Sequence, residues 1–261
     1  MSTRAATLAE PSEWPASLVE ELNRCRHVAV LTGAGVSAES GIPTFRDAHT
    51  GMWARHDPMT LASPQGFEQD PETVWQWYQW RRQLIANNHP NAGHQALARL
   101  QGLVSELTLV TQNVDGFHQL AGSERVLELH GNIHRNICSV TGELIDAQWM
   151  QQHDGQRPPP SPHHPRGLAR PDVVWFGEAL DSSILEAAFT AASQCDLMLI
   201  VGTAGSVQPA ASIPVMAKDH GAVLLEINPE NSELTALADW RLAGPGTKWL
   251  PALVDKLAAT H

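Results

Sequence analysis

The chain has 261 residues, 43% of them apolar, which fills one large core or a core with a smaller one beside it and excludes a disordered protein. With 17 Lys+Arg against 28 Asp+Glu the net charge is −11, which argues against nucleic acid as a partner and mildly favours basic partners such as lysine-containing peptides. Cys25, Cys138 and Cys195 are too few and too widely spaced for a disulfide framework and suit a reducing compartment.

The opening MSTRAATLAEPSEWP lacks the apolar run of a signal peptide, and no stretch approaches the roughly 20 apolar residues that span a bilayer. The expected location is therefore cytoplasmic, with no membrane partner. Residues 15–26 put Leu18, Val19 and Leu22 on one helical face, and HVAVLT (27–32) reads as a doubly buried parallel strand. GAGVSAESGIPTFRD (33–47) follows, in which Gly33, Gly35 and Ala38 match G-x-G-x-x-A. The first glycine allows a tight turn, the second a close approach of pyrophosphate, and the small third residue helix-on-strand packing. The acidic residue expected about 20 positions later is missing, so an ordinary dinucleotide dehydrogenase is excluded. A glycine turn that merely joins strand to helix reads the same way.

Residues 48–88 carry many of the tryptophans and read as a loop followed by a helix near 72–86; 92–101 is an Ala-rich helix and ELTLVT (106–111) a second strand. TQNVDGFHQLAG (111–122) then offers Gln112, Asn113 and Asp115, and VLELHGN (126–132) reads as a strand ending on His130. A histidine there is either a satisfied core residue or, beside a dinucleotide loop, a candidate general base. Residues 132–172 contain QRPPPSPHHPRG, too rich in proline for regular structure. VVWFGE (173–178) is short and β-rich, an edge for an extended peptide or ordinary core. DLMLIVGT (196–203) and AVLLEIN (222–228) are further strands, GTAGSVQPAA (202–211) is another small-residue loop, and 181–194, 209–218 and 250–259 are helices. Alternation of this kind predicts an α/β fold, a Rossmann-like doubly wound parallel sheet with a second, smaller domain formed by insertions. The division places 1–47, 89–131 and 173–261 in the sheet domain and 48–88 with 132–172 in the smaller one.

The ordered set GAGVSAESGIPTFRD, TQNVDGFHQLAG, LHGN, RPDVVWFGE and GTAGSVQPAA resembles the sirtuin family of NAD-dependent protein deacylases, over about residues 20 to 255. The resemblance implies that NAD is consumed as co-substrate, nicotinamide is released and the acyl group of an acylated lysine passes to ADP-ribose. It further implies His130 as the base and Asn113 as the residue that orients ribose and water. Asp115 and Gln112 fall in the cofactor pocket, Asp115 at the carboxamide. Gly33, Ala34, Gly35, Ser37, Phe45 and Arg46 lie on the cofactor loop, where Phe45 shields the reactive carbon. Gly202, Thr203 and Ser206 serve phosphate or ribose, and Asn228 the adenine-side ribose. Val174, Phe176 and Gly177 belong to the peptide and acyl-lysine side.

Tyr78 and Arg81, at i and i+3 in WQWYQWRRQ, match the Tyr-x-x-Arg of sirtuins that remove negatively charged acyl groups, and Ala48 leaves comparable room. The chain departs from the family at its structural zinc, which four cysteines hold. Only Cys138 remains, with Thr141, Pro162 and Pro165 at the other positions, so structural zinc is not expected. His153, His163 and His164 are the available substitutes. Two other functions are compatible with the same motifs, a protein ADP-ribosyltransferase and a nonenzymatic NAD sensor.

Overall fold

The computed structural model describes residues 6–11, 14–43, 57–153, 155 and 157–259. In chain order they form β1 (Ala6–Leu8), α1 (Ala16–Arg24), β2 (His27–Thr32), α2 (Gly35–Ala38), α3 (Pro58–Leu61), α4 (Pro64–Gln69), α5 (Pro71–Ala86), α6 (Ala92–Leu100), β3 (Glu106–Thr111), α7 (Phe117–Leu120) and β4 (Val126–Glu128). There follow β5 (Gly131–Cys138), β6 (Leu144–Ile145), α8 (Ala147–Gln152), β7 (Ala169–Val173), α9 (Ser182–Gln194), β8 (Leu197–Val201), α10 (Ser212–Asp219), β9 (Val223–Asn228), β10 (Trp240–Ala243) and α11 (Gly246–Ala258).

Seven strands make one sheet in the order β1-β10-β9-β8-β2-β3-β4, with every neighbouring pair parallel. The central strands are apolar at successive residues because both faces of the sheet are covered. Val28 and Val30 of β2 face the helices that contribute Leu18 and Leu22 (α1), Leu97 and Leu100 (α6), and Leu250 and Leu253 (α11). Ala29 and Leu31 turn the other way, against Ala188 and Ala192 of α9 and Ile213 and Ala217 of α10. The two-residue period thus sorts helices to both sides of a doubly wound sheet. From β2 the chain runs outward through β3 and β4 on one side, and from β8 through β9 and β10 on the other. The carboxyl ends of β2 and β8 therefore border a topological switch point, where such sheets open a crevice.

A second core lies where α4 and α5 meet the antiparallel sheet β6-β5-β7. Phe67, Trp77, Tyr78, Phe117, Ile133, Val173 and Trp175 fill it. The start of α5 is set by Asp70, whose side chain accepts from the Thr73 N–H at 3.0 Å, and by Pro71 in the first turn. Arg82 then fastens α5 to β5 by donating to the Ile133 carbonyl at 2.6 Å and to Asn136 Oδ1 at 2.7 Å.

Several local expectations need correction. Residues 132–172 are not structureless, since the flanks of the proline-rich run supply β5, β6, α8 and β7, whereas 157–167 stays irregular apart from one bridge between Pro160 and Leu168. The strand expected to end on His130 stops at Glu128, because Gly131, with φ +78°, turns the chain into β5. The β-rich reading of 173–178 fails beyond Val173, where the chain turns through Gly177 at φ +91°. The helix expected from 209 begins at Ser212, and the one expected from 250 begins at Gly246. Phe45, Arg46 and Ala48 lie outside the described residues. Among the described residues no helix is long and apolar enough to cross a membrane.

Candidate active site

The crevice is built on the close approach of two loops. The Gly33 N–H donates to the Val201 carbonyl at 3.0 Å and the Gly35 N–H to the Gly202 carbonyl at 2.8 Å. A Cβ at Gly35 would stand 2.7 Å from the Gly202 oxygen, and one at Gly202, whose φ is +59°, 2.5 Å from the Val36 nitrogen. The second glycine therefore admits another loop's backbone, and both glycine N–H groups are spent within the protein. The helix behind them, α2, is a single turn. Ala38 is exposed rather than packed on the strand; Val36 and Ser37 are the buried residues of that turn. Ala34 is half-buried at its start.

From this junction a row of hydrogen bonds runs along the carboxyl edge of the sheet. Gln112 Nε2 donates to Thr203 Oγ1 at 3.0 Å, and Asn228 Nδ2 to the Thr203 carbonyl at 2.9 Å. At the other end His130 Nδ1 lies 2.9 Å from the Gln112 carbonyl, an acceptor only, so Nδ1 carries the proton and Nε2 keeps its lone pair. Burial pushes the His130 pKa below the ordinary histidine value, against the pull of that hydrogen bond. Ser206 is exposed on the same loop as Gly202 and Thr203.

A second network lies beneath the first. Ser37 Oγ donates to Asp115 Oδ2 at 2.7 Å and accepts from Asn113 Nδ2 at 3.2 Å. The remaining Asp115 oxygen accepts the Phe117 N–H at 2.9 Å. His94 Nδ1 accepts from the Asn91 N–H at 3.2 Å, which leaves the proton on Nε2, 3.3 Å from Ser37 Oγ. Beside it, His118 Nε2 lies 2.9 Å from Thr32 Oγ1, while His118 Nδ1 is buried with no partner among the described residues. Desolvation lowers the pKa of His94 to about 4, against the attraction of Asp115, and that of His118 to about 3, with His94 adding to the fall.

The α5 side of the site presents donors. The Tyr78 hydroxyl accepts from Trp175 Nε1 at 2.8 Å, and burial raises its pKa to about 12, so the phenol is neutral. The Arg81 guanidinium lies 5.0 Å from the Trp77 ring centre and 5.8 Å from that of Tyr78. Among the described residues Arg81 has no hydrogen-bond or ion-pair partner, whereas its neighbour Arg82 is fully engaged with β5. In the adjoining turn the N–H groups of Val174, Trp175, Phe176 and Glu178 donate to the His130 carbonyl, Glu178 Oε2, the Ala62 carbonyl and the Trp175 carbonyl. This is not an open strand edge. Phe176 is 41% exposed, and Val174 half-buried.

The sequence pattern of the Sir2 family matches residues 33–209, which takes in Gly33, Gly35, Gly202, His130 and the α5 residues, while Asn228 lies beyond it. The chain belongs to the Sir2 family. It is 47% identical to NAD-dependent protein deacylase 1 of Pseudomonas aeruginosa over 92% of this chain and 98% of the relative, and 47% identical to an NAD-dependent protein deacylase of Aeropyrum pernix over 85% and 88%. The fold superposes on a crystal structure of a Sir2 homologue in complex with NAD with a TM-score of 0.89, at 37% identity over 99% and 98% of the two chains. A Sir2 complex with a p53 peptide and NAD+ superposes at 0.81, at 26% identity over 95% and 100%.

Cys138 and the histidines near it are held by the protein's own groups. The Cys138 thiol is buried, and although burial raises its pKa, hydrogen bonds from the Ser161 and Thr141 hydroxyls and from the Thr141 and Val140 N–H groups bring it down to about 7. A Cβ at Gly167 would stand 2.7 Å from its sulfur, so the space beside the thiol is filled by chain. His163 Nε2 instead meets the Leu144 carbonyl at 2.9 Å, His164 Nδ1 accepts from the Arg166 N–H at 3.2 Å, and His153 stacks on Trp149. No cluster of three metal-ligating side chains occurs among the described residues.

Sequence reasoning missed three features of this region, namely the placement of His94, of His118 and of the Arg170–Glu178 pair beneath Trp175. A histidine three residues after Asn91 at a helix start was the available sign of His94. The two rings also generate a stability prediction. The folded chain keeps them neutral down to about 4 and about 3, whereas unfolded imidazoles bind a proton near 6.5. Between about pH 6.5 and 4 the unfolded state therefore holds more protons, and stability falls as pH falls, by up to about 1.4 kcal/mol per pH unit for each ring. Urea unfolding at pH 7, 6 and 5 should show this decline, and His118→Gln should make its slope shallower. An unchanged slope in the variant would mean that His118 already carries its proton in the fold.

Proposed function

We propose that this NAD-dependent protein deacylase acts on acyl-lysine side chains and that its pocket prefers acyl groups ending in a carboxylate. The observation that carries the preference is Arg81, a half-buried cation without an acceptor among the described residues, one helical turn from the Tyr78 hydroxyl. Burial pushes the pKa of this guanidinium down, with Tyr78 and Asp115 opposing, so a bound anion would relieve the site of an unmatched charge. Acetyl offers nothing comparable; succinyl and malonyl offer a distal carboxylate for bidentate pairing.

The amides, hydroxyls and small residues along the crevice fit a dinucleotide. In this reading Gly33, Ala34, Gly35, Gly202, Thr203 and Ser206 border the phosphates, Gln112 braces Thr203, and Asn228 serves the adenine-side ribose. Asn113, Asp115 and Ser37 hold the nicotinamide end, with Phe45 and Arg46 assigned by their motif alone. NAD supplies a scissile nicotinamide–ribose bond and, as ADP-ribose, the acceptor of the acyl group. His130 takes a ribose hydroxyl proton at Nε2, for which its neutral state and fixed tautomer suit it. Val174, Phe176 and Gly177 border the peptide, with acylated-lysine proteins as the partners. The small module folds without zinc, the Cys138 hydrogen bonds standing in for metal bonds.

Three measurements test these assignments. His130→Ala should leave the NAD dissociation constant within a few fold while deacylation falls by about 10² or more; retained turnover removes His130 from the base role. Arg81→Met should lower kcat/KM for succinyl-lysine peptide by about one to two powers of ten, as expected for a charge-assisted bond of about 1.5–3 kcal/mol, and change deacetylation much less. Equal losses would assign Arg81 to the fold or the cofactor loop. Elemental analysis of purified protein should give well under one zinc per chain, with a thermal midpoint unmoved by chelator; stoichiometric zinc would overturn the metal-free reading.

A further inference from the structure

The Tyr78 hydroxyl is a donor whose direction is set by a residue outside the α5 motif. Its oxygen accepts the Trp175 indole N–H at 2.8 Å, and both side chains are buried. Indole has no acceptor, so the phenolic hydrogen cannot point back at Trp175 and is turned to the opposite side of the oxygen. A phenol without that partner rotates its hydrogen freely between two in-plane positions, and binding an anion then costs the ordering of the rotor.

The indole is itself pinned. Arg170 and Glu178 form a two-pronged pair at 2.7 and 2.8 Å, and Glu178 Oε2 accepts the Trp175 backbone N–H at 2.8 Å. The Arg170 guanidinium stacks 3.7 Å over the Trp175 ring and donates to the Val173 carbonyl at 3.1 Å. Phe67 packs on the ring from a centroid distance of 5.3 Å. The turn that follows β7 thereby reaches across the second core and sets a hydrogen on α5.

We propose that Trp175 is a positioning residue for acyl-group selection: its indole N–H, held by the Arg170–Glu178 pair, fixes the Tyr78 hydroxyl as a donor for the distal carboxylate of the acyl chain. This rests on the acidic-acyl reading of Arg81. In this role Trp175 acts through Tyr78 and not on the reacting atoms, so the loss of its N–H is felt by the acidic substrate.

The test compares kcat and KM for succinyl-lysine and acetyl-lysine peptides of one sequence in Trp175→Phe, Tyr78→Phe and the double variant. Trp175→Phe should raise the succinyl KM by about threefold to tenfold, the scale of one neutral hydrogen bond, and leave acetyl kcat/KM within about twofold. The double variant should be no worse for succinyl than Tyr78→Phe alone, since both singles break one bond. Equal losses on both peptides, an unchanged succinyl KM, or additive losses in the double variant overturn the proposal. If Trp175→Phe does not fold, benzothienylalanine at 175, which replaces the N–H with sulfur at nearly the same shape, makes the same comparison. Arg81→Met assayed beside them separates the two levels. A succinyl-selective loss there with no selectivity change at Trp175 sinks the positioning role alone, whereas equal losses in Arg81→Met sink the acidic-acyl reading and the positioning role with it.

Discussion

Everything in the crevice depends on how closely the backbone at Gly33–Gly35 can approach the backbone at Gly202. The two loops leave neighbouring parallel strands at the point where the chain reverses its direction of travel across the sheet. A Cβ on either side would stand 2.5–2.8 Å from backbone atoms of the other, closer than real contacts allow. With hydrogen there instead, Thr203 comes within reach of Gln112 from β3 and Asn228 from β9. Three strands are thereby tied at their carboxyl ends into one row of polar groups, and the spacing of that row is the spacing of parallel strands.

The row ends on His130, which is held from two directions. The large sheet holds its Nδ1 through the Gln112 carbonyl, and the turn after β7 holds its backbone carbonyl through Val174. Arg135 of β5 adds an ionic bridge between Glu128 of β4 and Asp172 of β7, each at 2.7 Å. Such a half-exposed pair contributes little net stability. Its geometric effect is larger, because it spans the residues on both sides of the His130–Gly131 turn. His130 is thus fixed where two cores meet, and its tautomer is decided by the same contact that fixes its place.

Burial then sets the chemistry of the polar groups by sign. Three imidazoles are pushed toward the neutral form by loss of water, and one phenol is pushed away from ionising. The cation at Arg81 stands against the Trp77 and Tyr78 rings with no hydrogen-bond or ion-pair partner among the described residues. In the reading proposed for Arg81, a cation of this kind selects by charge where the acyl group offers a charge. In the small module, hydroxyl and backbone donors surround the Cys138 sulfur, and no cluster of three metal-ligating side chains occurs there among the described residues.

The sequence by itself determined the doubly wound sheet, because a strand buried on both faces must be apolar at successive residues, and HVAVLT, ELTLVT and LMLIV are. It also determined the membership in the Sir2 family, because the site residues sit on contiguous loops whose order is written in the chain. The short elements were not legible: β1, β6 and β10 have two to four residues, below the length at which a period shows. The proline-rich run concealed β5 and β7 for a related reason, since they pair across the whole run, from Cys138 with Ala169 to Gly131 with Val173. Only the tertiary structure decided that Gly35 meets Gly202 and that Ala38 faces solvent. It alone showed that His94 closes onto Ser37, and that Trp175 donates to Tyr78 across 97 positions of chain. Each of these is a contact between residues with no local pattern in common, and hydrogen bonds of that kind are specified by where the folded backbone brings an acceptor, which periodicity does not encode.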